Sequence, residues 1–240
     1  MAFIAAGKSD VGITRKANQD SFLMLPKQAV YAVADGMGGH AGGGQASAIA
    51  IDVIRHALID ALDINRERVN ATLAMANEMI LEEAARKGWE GMGTTCALAF
   101  LSDSAWEVAH IGDSRVYVVK DKGIYSLTKD HSLVAELLAN GSISADEART
   151  HPHRNILTNA LGGQEYMRIE WNSISIDSAD YLLICSDGLH NMISDDEIVN
   201  IILAPGLSLD QKTTRLVDFA NIRGGFDNIT VILIGKGDGK

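Results

Sequence analysis

The chain has 240 residues, 47% of them hydrophobic, and a formal net charge of −10. That length holds one large domain or two small ones, and the charge excludes a groove tracking nucleic-acid phosphates, which needs a basic patch. No stretch reaches the roughly 18 apolar residues of a membrane span, and the N-terminal M-A-F-I-A-A-G-K-S-D lacks the basic start and apolar run of a signal peptide. Cys96 and Cys185 lie far apart in apolar, strand-like runs, so buried reduced thiols are expected, not a disulfide or a zinc site. A cytoplasmic protein follows from these readings.

Residues 3–12 read as a strand and turn, leading into T-R-K-A-N-Q-D at 14–20. The Arg15 guanidinium can grip a phosphate bidentately, and Asp20 can reach a metal ion or its water; a surface ion pair in a loop is the alternative. The apolar run 29–34 is a second strand, and it opens into A-V-A-D-G-M-G-G-H-A-G-G-G at 32–44. Asp35 is thereby expected where a buried strand runs out into a loop, and a charge there is costly unless paired or bound to a cation. Gly36, Gly38 and Gly39 let backbone approach an ion or phosphate closely, and His40 adds a group that moves a proton near neutral pH. A glycine-rich strand-to-helix turn with Asp35 as a distant cap explains this stretch, taken alone, equally well.

From 43 to 61 apolar residues recur at helical spacing and predict an amphipathic helix, with His56 just off its stripe as a surface or structural residue. Val69, Leu73, Ala76, Ile80 and Ala84 predict a second helix that stops at Gly88. G-M-G-T-T at 91–95 then opens a run of strands at 96–101, 106–111, 116–119 and 124–127, with S-D-S-A and K-D-K-G as antiparallel hairpin turns. H-I-G-D-S-R at 110–115 sits between two of them and puts Asp113 at a strand end, where a tight-turn role competes with a ligand role.

The character changes over 129–162, which predicts two short helices, a capping box from Ser144 to Glu147, and H-P-H-R-N-I-L-T-N-A-L-G. His131, His151, His153 and Arg154 fall here at spacings that match no metal site; a mobile flap beside a cleft is expected, with a solvated loop as the alternative. Residues 168–176 alternate as a half-buried strand, and the continuous apolar run 181–185 predicts a central one. That run ends in S-D-G-L, where Asp187 repeats the arrangement of Asp35. Ser194 caps the next helix and Asp195, Asp196 and Glu197 serve its dipole; a last helix covers about 208–222. R-G-G-F-D-N-I-T-V-I-L-I at 223–234 sets Asp227 ahead of the final strand.

Asp20, Asp35, Asp113, Asp187 and Asp227 are five carboxylates at loop positions beside strands, which turn chemistry alone explains poorly. Clustered Asp residues without Cys or His partners select hard cations, Mg²⁺ or Mn²⁺. Two such ions roughly 3.5–4 Å apart activate a water and stabilise both ends of an in-line displacement. Phosphate monoester hydrolysis demands such help, with rate enhancements up to ~10²¹. The chain carries no G-x-x-x-x-G-K-[ST], no G-x-S-x-G and no C-x₅-R loop, so a metal-activated water is expected in place of an enzyme nucleophile.

The set R-K-A-N-Q-D, A-D-G-M-G-G-H-A-G-G, M-G-T-T, H-I-G-D-S-R, D-H-S-L-V, H-P-H-R-N-I-L-T-N-A-L-G, C-S-D-G-L and G-G-F-D-N-I-T-V resembles the bacterial branch of the PP2C (PPM) family of metal-dependent serine/threonine protein phosphatases, over 7–234. The resemblance implies an α+β fold, a four-layer α/β/β/α sandwich of two antiparallel sheets flanked by helices, as a single domain over 1–240 with a flap at about 129–162. It further implies that Asp35 bridges two Mg²⁺ or Mn²⁺ ions and that Gly36 ligates through its carbonyl. Asp187 and Asp227 complete the first ion's protein ligands, Asp20 holds metal-bound water, and Asp113 with Asp187 holds a third ion. Arg15 corresponds to the phosphate-binding arginine and His40 to the proposed general acid, while Gln19 stands where many eukaryotic members carry Glu. The implied substrates are phosphoserine and phosphothreonine proteins, in a signalling role opposing a Ser/Thr kinase; separately, with no appended transmembrane or sensor segment in view, a free-standing monomer is expected.

Two other classes compete. A catalytically weak phosphoprotein-binding module on the same fold would have lost metal ligands, and none is lost here. A metal-dependent phosphodiesterase or nuclease fits poorly with the acidic charge.

Overall fold

The computed structural model describes residues 3–163 and 167–237, without the side chains of 39–41, 145 and 149. In chain order the strands are β1 (Phe3–Asp10), β2 (Asp20–Leu25), β3 (Val30–Met37), β4 (Gly93–Thr94), β5 (Cys96–Leu101), β6 (Ala105–Ile111), β7 (Arg115–Lys120), β8 (Gly123–Ser126), β9 (Glu170–Ser175), β10 (Tyr181–Cys185) and β11 (Ile229–Lys236). One sheet runs β1-β11-β10-β7-β8 and the other β2-β3-β5-β6-β9, with β4 paired to the end of β3. Every pairing is antiparallel.

Pleating decides what packs where, because successive side chains point to opposite faces. In β3, Tyr31 and Val33 join a core between the two sheets, while Val30, Ala32 and Ala34 face helices. Those helices are α1 (Gly39–Leu58) and α2 (Arg66–Lys87). In β10, Leu182 and Ile184 face the other sheet, while Leu183 and Cys185 pack under α5 (Asp187–His190), α6 (Asp195–Ile202) and α7 (Leu209–Ile222). Strands buried on both faces read as continuous apolar runs, which is why 29–34 and 181–185 did not alternate. The three cores stack into the four α/β/β/α layers that the resemblance implied.

Helix ends follow local chemistry. Gly88 ends α2 in the left-handed region at φ 66°, and Asn65 caps its start by accepting from the Arg68 N–H. Ser194 and Ser208 open α6 and α7 with full capping boxes to Glu197 and Gln211. The 129–162 segment holds α3 (Leu133–Ala139) and α4 (Ala145–Thr150), the latter with the expected Ser144–Glu147 box. It is tied back at Leu161, whose N–H and C=O both bond Thr94.

Several local features differ from the sequence reading: β2, β4 and α5 are not marked there, so the run at 29–34 belongs to the third strand and not the second. β3 does not end at Asp35 but continues to Met37, because Gly36 and Met37 pair with β4. Helix α1 begins at Gly39, four residues earlier than the periodicity suggests. The glycines serve contact here: a Cβ on Gly36 would stand 2.0 Å from the Gly43 carbonyl oxygen, so the first turns of α1 lie directly on the strand. The expected hairpins are β5–β6 and β7–β8. Between them, the turn at 112–114 carries the chain from one sheet to the other. No helix among the described residues is long and apolar enough to cross a membrane.

Candidate active site

The pleat that builds the inter-sheet core also builds the site. Moving along each strand in steps of two, the apolar row ends in polar residues: Tyr31 and Val33 lead to Asp35, Ala97 to Thr95, Val116 to Ser114, Ile184 to Ser186, and Ile232 to Thr230. The inter-sheet layer therefore turns polar at one end. Asp20 enters it as the cross-strand partner of Asp35 in the β2–β3 pair. Asp187 follows the end of β10, Asp227 precedes β11, and Asp113 lies in the sheet-crossing turn.

Buried polar groups hold these acids in place. The Asp35 N–H donates to Thr95 Oγ1 at 2.9 Å, the Thr94 hydroxyl and the Thr95 N–H donate to the Asp35 carbonyl, and Thr95 Oγ1 lies 2.6 Å from Ser114 Oγ. Ser186 donates its hydroxyl to Asp20 Oδ2 at 2.8 Å and accepts from the Thr230 N–H at 2.9 Å. Asn228 is buried, accepts the Gln19 N–H on Oδ1 at 2.8 Å, and donates from Nδ2 to the carbonyls of Val11 and Ala17. It thus pins the whole Arg15–Asp20 loop to the start of β11. None of Thr95, Ser186 or Asn228 stood out in the sequence as functional; their signal is position, since Thr95 and Ser186 continue the inter-sheet faces of their strands.

The acids are electrostatically crowded. Burial pushes Asp35 well above the ordinary carboxylate range, and the charges of Asp20, Asp187, Asp113 and Asp227 push it further. Burial does the same to Asp187, with Asp113, Asp227 and Asp20 adding to it. Asp113 is lifted to about 7, first by burial and then by Asp130. Asp20 is lifted to about 6 by burial, against hydrogen bonds that favour its ionised form. Oδ1 of Asp20 and Oδ1 of Asp187 are buried with no donor aimed at them among the described residues. Such oxygens fit a cation, and a set made of carboxylates suits Mg²⁺ or Mn²⁺ better than zinc.

Arg15 stands at the edge of this cluster, its Nη2 donating to Asp227 Oδ2 at 2.7 Å with the arginine side chain 49% exposed. That hydrogen bond raises its pKa further, so its charge is permanent. His40 lies in the first turn of α1, and its side chain is outside the described residues.

The H-I-G-D-S-R and D-H-S motifs clamp each other. Arg115 donates from Nε and Nη2 to both oxygens of Asp130, at 2.8 and 2.7 Å. The Gly112 N–H donates to His131 Nδ1 at 3.1 Å, and the His131 N–H donates to the Gly112 carbonyl at 2.8 Å. Gly112 sits at φ 101°, a conformation that glycine adopts freely, and His131 braces this turn one residue from Asp113. His190 donates from Nε2 to the Asp113 carbonyl at 3.1 Å from the other side.

His131, His110 and Glu170 place potential ligand atoms within 4.8 Å of one another. Hydrogen bonding argues against an ion there. Asn159 is oriented by accepting the Arg168 N–H and donating to the Arg168 carbonyl, so its amide also faces His131 Nδ1 as a donor, at 3.0 Å. With two donors on Nδ1, the ring proton sits on Nε2 and is given to Glu170 Oε2 at 3.2 Å. His131 has no lone pair left for a metal. Burial lowers the buried neighbour His110 to about 4, which keeps it neutral beside the His131 ring. The remaining flap residues, His151, His153 and Arg154, lie outside this cluster, His151 and His153 with their rings against each other. Cys96 and Cys185 are buried free thiols pushed up to about 12 by burial, as inert as the sequence suggested.

Comparison with known proteins points the same way as the geometry. The protein phosphatase PhpP of Streptococcus pneumoniae is 39% identical over 94% of this chain and 94% of its own length. The serine/threonine phosphatase Stp1 of Staphylococcus aureus superposes with a TM-score of 0.92 at 30% identity, covering 99% of this chain and 96% of that one. The catalytic domain of the serine/threonine protein phosphatase PstP, solved in complex with two manganese ions, gives a TM-score of 0.88 at 31% identity over 98% of this chain and 99% of that one. With residues 13–220 matching the family described as protein phosphatase 2C, and two antiparallel sheets closing on a crowd of aspartates, this chain belongs to that family of metal-dependent protein phosphatases.

Proposed function

We propose that the chain hydrolyses phosphoserine and phosphothreonine in proteins with bound Mg²⁺ or Mn²⁺, and that Asp35, Asp187, Asp227 and the Gly36 carbonyl are the direct ligands. Asp20 acts through ordered water, and Asp113 with Asp187 holds a third ion. The observation that carries this reading is the set of buried, mutually repelling carboxylates with unpartnered oxygens at the polar end of the inter-sheet layer. Ions held there would supply an activated water and neutralise charge on both sides of an in-line displacement.

The chain's own residues do the rest. Arg15 presents a fixed fork to the phosphate oxygens, and its hydrogen bond to Asp227 keeps it at the rim of the carboxylates. Thr95, Ser186 and Asn228 hold Asp35, Asp20 and the Arg15 loop to the two sheets, so little reorganisation is needed when substrate arrives. His40 gives a proton to the departing serine or threonine oxygen from the first turn of α1. We further propose one domain over 1–240, a cytoplasmic monomer with a signalling role opposing a Ser/Thr kinase, and a 129–162 flap that contributes to peptide choice.

Hydrolysis of a phosphothreonine peptide tests the reading, with Mn²⁺ titrated in and then removed with EDTA. Turnover should rise with Mn²⁺, vanish with chelator, and fall at least ~100-fold in Asp187→Ala with an unchanged circular dichroism spectrum. Mn²⁺-independent turnover, or wild-type activity in the variant, would sink the assignment.

A further inference from the structure

Two large apolar side chains stand in the open at the edge of the site. Ile13 is 69% exposed and Phe226 is 62% exposed. Ile13 lies two residues before Arg15, and Phe226 immediately precedes Asp227. The segments carrying them are laced together: the N–H groups of Ile13 and Thr14 both donate to the Gly225 carbonyl, at 2.8 and 3.1 Å, and Arg15 closes on Asp227 at 2.7 Å. A Cβ on Gly225 would stand 2.8 Å from Ile13 Cγ1, and one on Gly224 would stand 2.8 Å from the Phe226 ring. Two adjacent glycines thus lie against the two side chains, Gly225 against Ile13 and Gly224 against Phe226. Asp10 Oδ1 ties the neighbouring chain on both sides together by accepting from the Gly12 N–H and from Asn221 Nδ2.

We propose that Ile13 and Phe226 form a docking patch for an apolar side chain of the substrate polypeptide, one to three residues from its phosphoserine or phosphothreonine. The proposal rests on the phosphatase reading above and adds a preference in the sequence around the phosphorylated residue. Continuity with the site selects the occupant. A chain whose phosphate is held by Arg15 must leave across the surface beside Arg15, and one to three residues of extended chain reach ~3–10 Å. A second copy of this protein is the poorer occupant, because two side chains fall far short of the ~800 Å² per partner of a stable interface. The patch lies outside the 129–162 flap, so its contribution is separable from the flap's.

Two phosphothreonine peptides identical except for leucine or serine at the flanking positions test the idea, each assayed with Mn²⁺ against wild type, the Ile13→Ser/Phe226→Ser double variant and Phe226→Leu. Wild type should favour the leucine peptide about tenfold in kcat/KM, and the double variant should show a ratio of about one with turnover of the serine peptide retained. Phe226→Leu, which keeps an apolar surface, should keep the preference. Equal turnover of both peptides by wild type, or an undiminished preference in the folded double variant, would overturn the patch and leave the phosphatase reading standing. Turnover of neither peptide by folded wild type would overturn both.

Discussion

Asp113→Asn should stabilise the metal-free protein while weakening its use of metal. Burial and the Asp130 charge raise the Asp113 carboxyl from an ordinary 3.8 to about 7. An acid raised in this way stays protonated in the folded chain at pH values where the unfolded chain has already released its proton. Stability is therefore lost as pH rises from about 4 to 7, and the full cost is carried above 7. A rise from 3.8 to about 7 corresponds to about 4 kcal/mol at ~1.4 kcal/mol per pKa unit. Because Asp113 is only partly buried as a residue, about 2 kcal/mol is the working figure. Asparagine keeps the shape and removes the charge. In EDTA at pH 8 the variant should melt roughly 4–8 °C above wild type, the gap should close near pH 4, and Mn²⁺ should narrow it at pH 8 by offsetting the same repulsion. A variant that melts at or below wild type at pH 8 would refute the crowding argument.

Arg15→Ala should separate binding from folding: its half-exposed ion pair with Asp227 contributes no more than ~1 kcal/mol to stability, while loss of charge-assisted bonds to phosphate should cost about 10–100-fold in kcat/KM on phosphopeptides. A melting temperature lowered by ten degrees with activity intact would contradict that. Asn228→Ala should do the reverse in part, leaving the Val11 and Ala17 carbonyls without their donor and costing about 2–3 kcal/mol by thermal melt. Gly36→Ala should cost ~3 kcal/mol or more, since its Cβ would meet the Gly43 carbonyl at 2.0 Å; a soluble variant melting with wild type would show that α1 can move aside.

What was legible in the sequence depended on whether the cause was local. The Gly88 stop and the Ser144 and Ser194 caps are set within a few residues, and they appear where composition placed them. The central position of 181–185 followed from burial on both faces, a property of the strand itself. The extension of β3 past Asp35 was invisible, because its cause is a two-residue partner about sixty positions away. The same holds for the turn at Gly112, where three residues that could close a hairpin instead carry the chain between sheets. The five aspartates could be marked as strand-end carboxylates, but their supports could not: Asn228 reaches back to Val11, and Ser186 to Asp20. Arg15 was read as a phosphate grip from its residue type, while its hold on Asp227, 212 positions away, is purely tertiary.

The placement of the site follows from a conflict between two demands on the same layer. The space between the sheets must be apolar to hold them together, and Tyr31, Val33, Val116, Leu182, Ile184 and Ile232 fill it. The chemistry needs several ionised carboxylates within reach of one another, which that space cannot tolerate. Letting each strand's inward row turn polar at one end resolves the conflict. Thr95, Ser114, Ser186 and Thr230 grade the layer from hydrocarbon to hydroxyl before the acids begin. Because Asp20 and Asp35 belong to one sheet while Asp187 and Asp227 flank strands of the other, any ion that gathers them also draws the two sheets together. Ions held as proposed above would therefore bridge the two sheets, and a substitution that eases the repulsion among these side chains gains stability by giving up the reason for the crowding.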